Sequence, residues 1–410
     1  MIRHIGLVSL VILWLLSPCL VRAESGIAVI ESDVAVNFPN TVVFTVEAYS
    51  NTSIVDVRLR YRVNKVNYAA VVSEGWADFT PASRVEASWV WDMTNAGLPP
   101  GAEVTYWWVI RDADGNELES LPGTMHFNDD RYSWQNLTGI IPNGGQLTVF
   151  WYRGSESFAQ ALMEACLNGL AGLAEDIGTY PERPIRVYVY ASTDDLRGAM
   201  VYSQEWTGGV AFADFSIIAI GIAPSEVDWG KRALVHELAH LVVHEATFSP
   251  YTQLPRWLDE GLATFAEGEL DPTFQSYLDE AISENKLISV QSLCSPFSVY
   301  REKACLAYAE SYSIVKYLLE NYGQGKMLDL LAALRQGSTY DEALTEVYGF
   351  DMDGLDARWR ATLGLGTAVG SAARQPQHVL IPLLAALATG LVLWGALALE
   401  RRGRRGSSGE

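Results

Sequence analysis

Along the first third of the chain, apolar and polar residues alternate with a period of two. In VDVRLRYRV, Val55, Val57, Leu59, Tyr61 and Val63 share one face, while Asp56, Arg58, Arg60 and Arg62 share the other. That alternation predicts a half-buried strand. VTYWWVI repeats it with Val104, Tyr106, Trp108 and Ile110, and DADGNE at 112–117 supplies an Asp-Gly turn. Several such strands over residues 24–130 predict an antiparallel β-sandwich. It carries no catalytic cluster, so its expected role is interaction or spacing.

After Asp130 the period changes. LTVFWY and IRVYVYA read as strands on either side of a helix, FAQALMEACLNGLAGLAEDI. GGVAFADFSIIAIGI, residues 208–222, reads as one or two more strands. From Trp229 onward the pattern is helical, with helices expected at 230–246, 255–268 and 304–321. A small sheet followed by a helical lobe over 131–365 makes the fold class α+β.

The two ends differ from the rest. Residues 1–23 read as a signal peptide: Arg3, an apolar run from Ile5 to Leu16, then Val21-Arg22-Ala23. After a small-residue linker at 366–377, residues 378–399 hold an uncharged stretch, Val379 to Leu399, followed by Arg401, Arg402, Arg404 and Arg405. As a helix it spans ~32 Å, enough for a hydrocarbon core. The basic tail, 400–410, belongs on the cytoplasmic side. The expected topology is a single-pass protein of the cell membrane with both folded parts outside the cytoplasm. The net charge of −20 disfavours nucleic acid and anionic lipid as partners. Beyond Cys19 in the leader there are three cysteines. Cys166 is expected to be a buried free thiol, and Cys294 and Cys305 enclose a short loop across which they are spaced to pair.

ALVHELAHLVVHE, residues 233–245, places His236, His240 and His244 one turn apart on one helix face. His236 and His240 are spaced as two zinc ligands, and Glu237 lies beside them, within reach of a water in the site. His244 is ~6 Å further along the axis. One zinc ion with bonds of ~2 Å does not bridge three turns of a straight helix, so His244 is expected to be a bystander at the helix end. The next helix, LPRWLDEGLATFAEG, offers Glu260, 20 residues after His240, and Glu267 on the same face.

HExxH followed by Trp-Leu-Asp-Glu-Gly-Leu-Ala resembles the gluzincin metallopeptidases, above all the thermolysin-like lobe of the aminopeptidases and the bacterial peptidase MA-like domains. The resemblance implies one Zn²⁺ per chain on His236, His240 and Glu260, with Glu237 as general base; Glu267 lacks the motif match. LAYAESYSIVKYLLENYG, 306–323, resembles the helix that supplies a catalytic tyrosine, which maps to Tyr308, with Tyr312 as the alternative. The strand that receives substrate maps to Gly209, Val210 and Ala211. It lacks the glutamate with which the aminopeptidases hold a free amine, so endopeptidase action is at least as well supported. The match covers roughly 131–364. The sandwich lies outside it and resembles an immunoglobulin or fibronectin type III module, a surface for a protein partner. The implied function is a zinc metallopeptidase acting on peptides or proteins. The alternative is a catalytically silent surface-binding protein, and the retained Glu237 weighs against it.

Overall fold

The computed structural model describes residues 26–365, apart from 67–68, 95, 179, 201–207 and 252. The expected signal peptide, linker, membrane span and tail lie outside the described residues. Among the described residues no helix is long and apolar enough to cross a membrane.

The chain opens with eight strands: β1 (Ile27–Asn37), β2 (Thr41–Ser50), β3 (Ile54–Val63), β4 (Ser73–Trp76), β5 (Arg84–Asp92), β6 (Ala102–Asp112), β7 (Glu117–Glu119) and β8 (Gly123–Phe127). They form two antiparallel sheets, β1-β2-β5 and β4-β3-β6-β7, with β8 also paired to β6. Phe44 and Val46 of one sheet and Leu59 and Trp108 of the other meet in one apolar core. The Asp-Gly turn joins β6 to β7: Gly115 takes φ +84°, and Asp112 accepts from the Asp114 and Asn116 amides. One expectation about β3 fails. A register shift between Ile54 and Asp56 buries Ile54 and turns Val55 outward, 46% exposed. A one-residue bulge reverses the faces on either side of it. Beyond the bulge the alternation holds, and outward Arg58 and Arg60 pair with Glu74.

Next come β9 (Gln135–Ile140), β10 (Gln146–Trp151), α1 (Glu156–Ile177), β11 (Ile185–Tyr190), α2 (Thr193–Arg197), β12 (Gly209–Phe212) and β13 (Ile217–Gly221). Their strands form a mixed sheet in the order β12-β13-β11-β10-β9, in which β10, β11 and β13 run parallel. Alternate residues serve two cores. Val149, Val187, Val189, Ile218 and Ile220 face the helices, whereas Tyr188, Tyr190, Ile217 and Ala219 join the core of the N-terminal sheets. This is why these strands read as nearly unbroken apolar runs. The N-terminal sheets are therefore more than a spacer, because they cover one face of the sheet that carries β12.

The helical lobe holds α3 (Val227–Ala246), α4 (Arg256–Ala266), α5 (Pro272–Ser283), α6 (Arg301–Tyr322), α7 (Gln324–Arg335), α8 (Tyr340–Tyr348) and α9 (Met352–Thr362). Helix α3 packs between α1 and α4, and α4 lies against α6. Gly261 makes the last contact possible, since a Cβ there would meet the Ser311 carbonyl oxygen at 2.6 Å. The expected pairing of Cys294 and Cys305 does not form; both are free thiols, as is buried Cys166. Cys294 turns inward, its sulfur 3.8 Å from the Met352 sulfur, while Cys305 is committed to α6. Burial pushes the Cys294 thiol up to about 11.

Candidate metal and catalytic site

Helix α3 presents His236, His240 and His244 on one face, with successive ring centroids 4.9 and 6.0 Å apart. Helix α4 returns alongside and brings Glu260 beneath the first two. Glu260 Oε2 lies 3.3 Å from His236 Nε2 and 3.5 Å from His240 Nε2. The ligand atoms of these three residues all lie within 4.8 Å of one another. Glu260 Oε2 is buried and has no hydrogen-bond partner, a costly state for a carboxylate oxygen unless a cation faces it. Two ligands at a tetrahedral angle on bonds of about 2.0–2.1 Å would lie about 3.3 Å apart. The donor set thus fits a zinc ion.

The outer nitrogens explain why both rings point inward. His236 Nδ1 lies 2.8 Å from Glu267 Oε1, and His240 Nδ1 lies 2.8 Å from Asp259 Oδ1. Carboxylates at Nδ1 fix the ring orientation and leave Nε2 as the ligand. Burial pulls the His236 pKa down, but the carboxylates of Glu260 and Glu267 beside its two nitrogens outweigh it and set it at about 9. Burial pushes the Glu260 and Asp259 carboxyls up. Their histidine partners overcome this and hold both well below the usual range.

Glu267, the rival ligand in sequence, therefore stands on the far side of His236 from Glu260. His244 stays out of the His236–His240–Glu260 group, yet it is no bystander: its Nε2 lies 3.0 Å from the same Asp259 oxygen that holds His240. Asp259 and Arg256 were missed in the sequence. Arg256, one turn before Glu260, lies 2.8 Å from its second oxygen, Oε1. The signal for Asp259 was available as a second carboxylate adjoining the proposed ligand in the first turn of α4.

Glu237 lies against strand β12. A Cβ on Gly209 would meet its Oε1 at 2.8 Å, and the Ala211 amide donates to its carboxylate. Burial raises the Glu237 pKa against that hydrogen bond. Strand β12 is the edge of its sheet among the described strands. The Gly221 amide donates to the Gly208 carbonyl, so by alternation Val210 bonds to β13 while Gly209 and Ala211 turn their backbone groups to the free edge.

Tyr308 of α6 also reaches the group, its ring centroid 6.2 Å from that of His236. Phe274 stacks on it at 5.9 Å and Phe297 meets it edge-on at 5.2 Å. Burial pushes its phenol well above the ordinary value, so it is a hydrogen-bond donor. Tyr312 packs instead against Phe265.

Residues 165–364 match the family model of the Peptidase MA superfamily. The match supports a peptidase MA-like domain over that span. That span holds His236, Glu237, His240, Glu260 and Tyr308. Among solved structures, the chain is similar to the M1 zinc metallopeptidase of Deinococcus radiodurans at 13% identity, covering 84% of this chain and 94% of that one with a TM-score of 0.37. A point mutant of that protein gives 13% identity, 82% and 94% coverage and a TM-score of 0.39. Catalytically inactive OgpA of Akkermansia muciniphila, in complex with an O-glycopeptide, gives 13% identity over 26% of this chain with a TM-score of 0.21. The chain spans 30% of the length of that OgpA chain. No curated protein matches the chain.

Proposed function

We propose that this protein is a zinc metallopeptidase that hydrolyses peptide bonds, with His236, His240 and Glu260 as the metal ligands. The observation that carries this reading is the buried, unpartnered Oε2 of Glu260 facing both Nε2 atoms. A zinc ion there supplies Lewis acidity, which acidifies water and polarises the scissile carbonyl. Strand β12 receives the substrate backbone by strand addition at Gly209 and at the Ala211 carbonyl, with Val210 between them. Glu237 takes a proton from the attacking water and passes one to the departing amine. The Tyr308 hydroxyl donates to the developing oxyanion. Glu267 and Asp259 hold the two imidazoles in register.

The sequence of the two ends supports placement outside the cytoplasm, exported by residues 1–23 and anchored in the cell membrane by 378–399. The N-terminal sheets cover one face of the sheet that carries β12, and their immunoglobulin-like reading as a partner surface belongs to the same proposal.

The test is metal analysis of the purified full-length chain, combined with casein hydrolysis by wild type and Glu237→Gln. One zinc per chain in both proteins and loss of hydrolysis in the variant are expected. A stable wild-type protein that takes up no zinc sinks the reading and favours a silent binding protein.

A further inference from the structure

A cavity of about 990 Å³ opens beyond His240, at the C-terminal end of α3. Its position follows from the helix period. The face that carries His236 and His240 continues one turn on to His244, which lines the cavity. One side wall is the continuation of β12, since Ala213 and Asp214 follow Phe212 directly and border the same space. The other wall is the first turn of α4, where Arg256 and Asp259 line the cavity while holding Glu260 and His240. The three elements that build the candidate active site therefore also border this cavity, which extends away from the site along α3.

Strand β12 gives that extension a direction. Near its start, Gly208 lies against Trp229 in the first turn of α3 and Gly209 against Glu237; beyond its end, Ala213 and Asp214 reach the cavity beside His244 and Glu245. The strand and α3 thus run the same way. A peptide that adds to the free edge in the more favourable antiparallel sense passes Glu237 with its upstream residues over the cavity. A volume of about 990 Å³ is at the upper end of what whole ligand sites occupy, which is room for more than one residue.

We infer that the cavity beyond His244 receives the residues N-terminal to the scissile bond, so that the substrate is the interior of a polypeptide and the enzyme is an endopeptidase. The inference rests on the peptidase reading for its chemistry and on the cavity for its direction. No free terminal amine is needed, and several upstream residues contribute to binding.

The experiment begins with a casein digest by the zinc-loaded, full-length chain, read by mass spectrometry to find the fastest bond. Peptides nested around that bond then carry one to four upstream residues, each with a free and an acetylated amine. Three or four upstream residues are expected to raise kcat/KM about 10-fold over one, and acetylation to change it by less than about 2-fold. Fluorescence anisotropy of the same peptides on Glu237→Gln should show the same gain in affinity. Gln253→Trp, which narrows the cavity from an exposed position, should cut the gain to below about 2-fold. Release of single N-terminal residues, no gain from extension, or a full gain in Gln253→Trp each overturns the assignment. If wild type cuts nothing, the peptidase reading falls and binding decides the cavity. Eight-residue casein peptides held equally by wild type and Gln253→Trp overturn it, whereas weaker binding to Gln253→Trp upholds it.

Discussion

Gly209 stands so close to Glu237 that a single methyl group on its Cα would meet the carboxylate at 2.8 Å. The backbone there takes a conformation open to any residue, so the constraint is contact and not φ. Gly209→Ala should therefore fold normally and move the carboxylate instead. With Glu237 as general base, a displacement of this kind should lower kcat about 10- to 100-fold. Zinc content should stay at one per chain and Tm within a few degrees of wild type. Unchanged kcat would falsify the assignment of Glu237 beside this strand.

Asp259 accepts from two imidazoles at once, His240 at 2.8 Å and His244 at 3.0 Å. Replacing it with Asn keeps the shape and removes the charge that orients and sharpens His240 as a donor. Zinc affinity should fall about 10- to 100-fold in Asp259→Asn. His244→Gln, which leaves the His240 contact in place, should weaken it by less than about 3-fold. Competition with a chromogenic chelator measures both, and equal losses would mean that His244 is itself a ligand.

These contacts show which parts of the site the sequence makes legible. The i, i+4 pair His236 and His240 is local, set by the helix period alone, and so could be read directly. Glu260 came from a motif. The partners on the outer nitrogens depend on how α3 and α4 are set side by side, which no spacing within either helix encodes. Glu267 thus looked like a rival ligand when it is the partner of His236. The fold shows the same division. The α+β order and most strand faces followed from periodicity, but the bulge that turns out Val55 and the inward turn of Cys294 are tertiary events. The N-terminal sheets looked separate because nothing in their own alternation shows that Tyr188 and Tyr190 complete their core.

Metal binding should be tied to protons. In the metal-free protein, burial disfavours charge on His236, but Glu260 and Glu267 hold its pKa at about 9, and Asp259 and Glu260 raise His240 in the same way. Below about pH 9 zinc must displace protons from ligands that hold them. Apparent zinc affinity should fall as pH drops from about 9 to about 6, by up to about tenfold per unit for each proton displaced. Titrations at fixed ionic strength read this directly. A flat profile over that window would show that the imidazoles are already neutral.

Glu310, two residues past Tyr308 on α6, is fully buried. One oxygen accepts from the Ile288 amide at 3.0 Å, and the other has no partner. Burial lifts its carboxyl to about 8, against the opposing pull of that amide and of Arg360. The folded protein therefore holds a proton there that the unfolded chain, with an ordinary value of 4.5, gives up above that pH. The stabilisation from this proton is complete below about pH 4.5 and is lost as pH rises through about 8. Glu310→Gln keeps the acceptor for Ile288 and removes the titration. Its Tm should decline less than that of wild type between about pH 5 and about pH 9, with the difference growing to a few degrees at the alkaline end. Parallel melting curves that keep a constant separation across that range would show that Glu310 is already ionised in the folded protein.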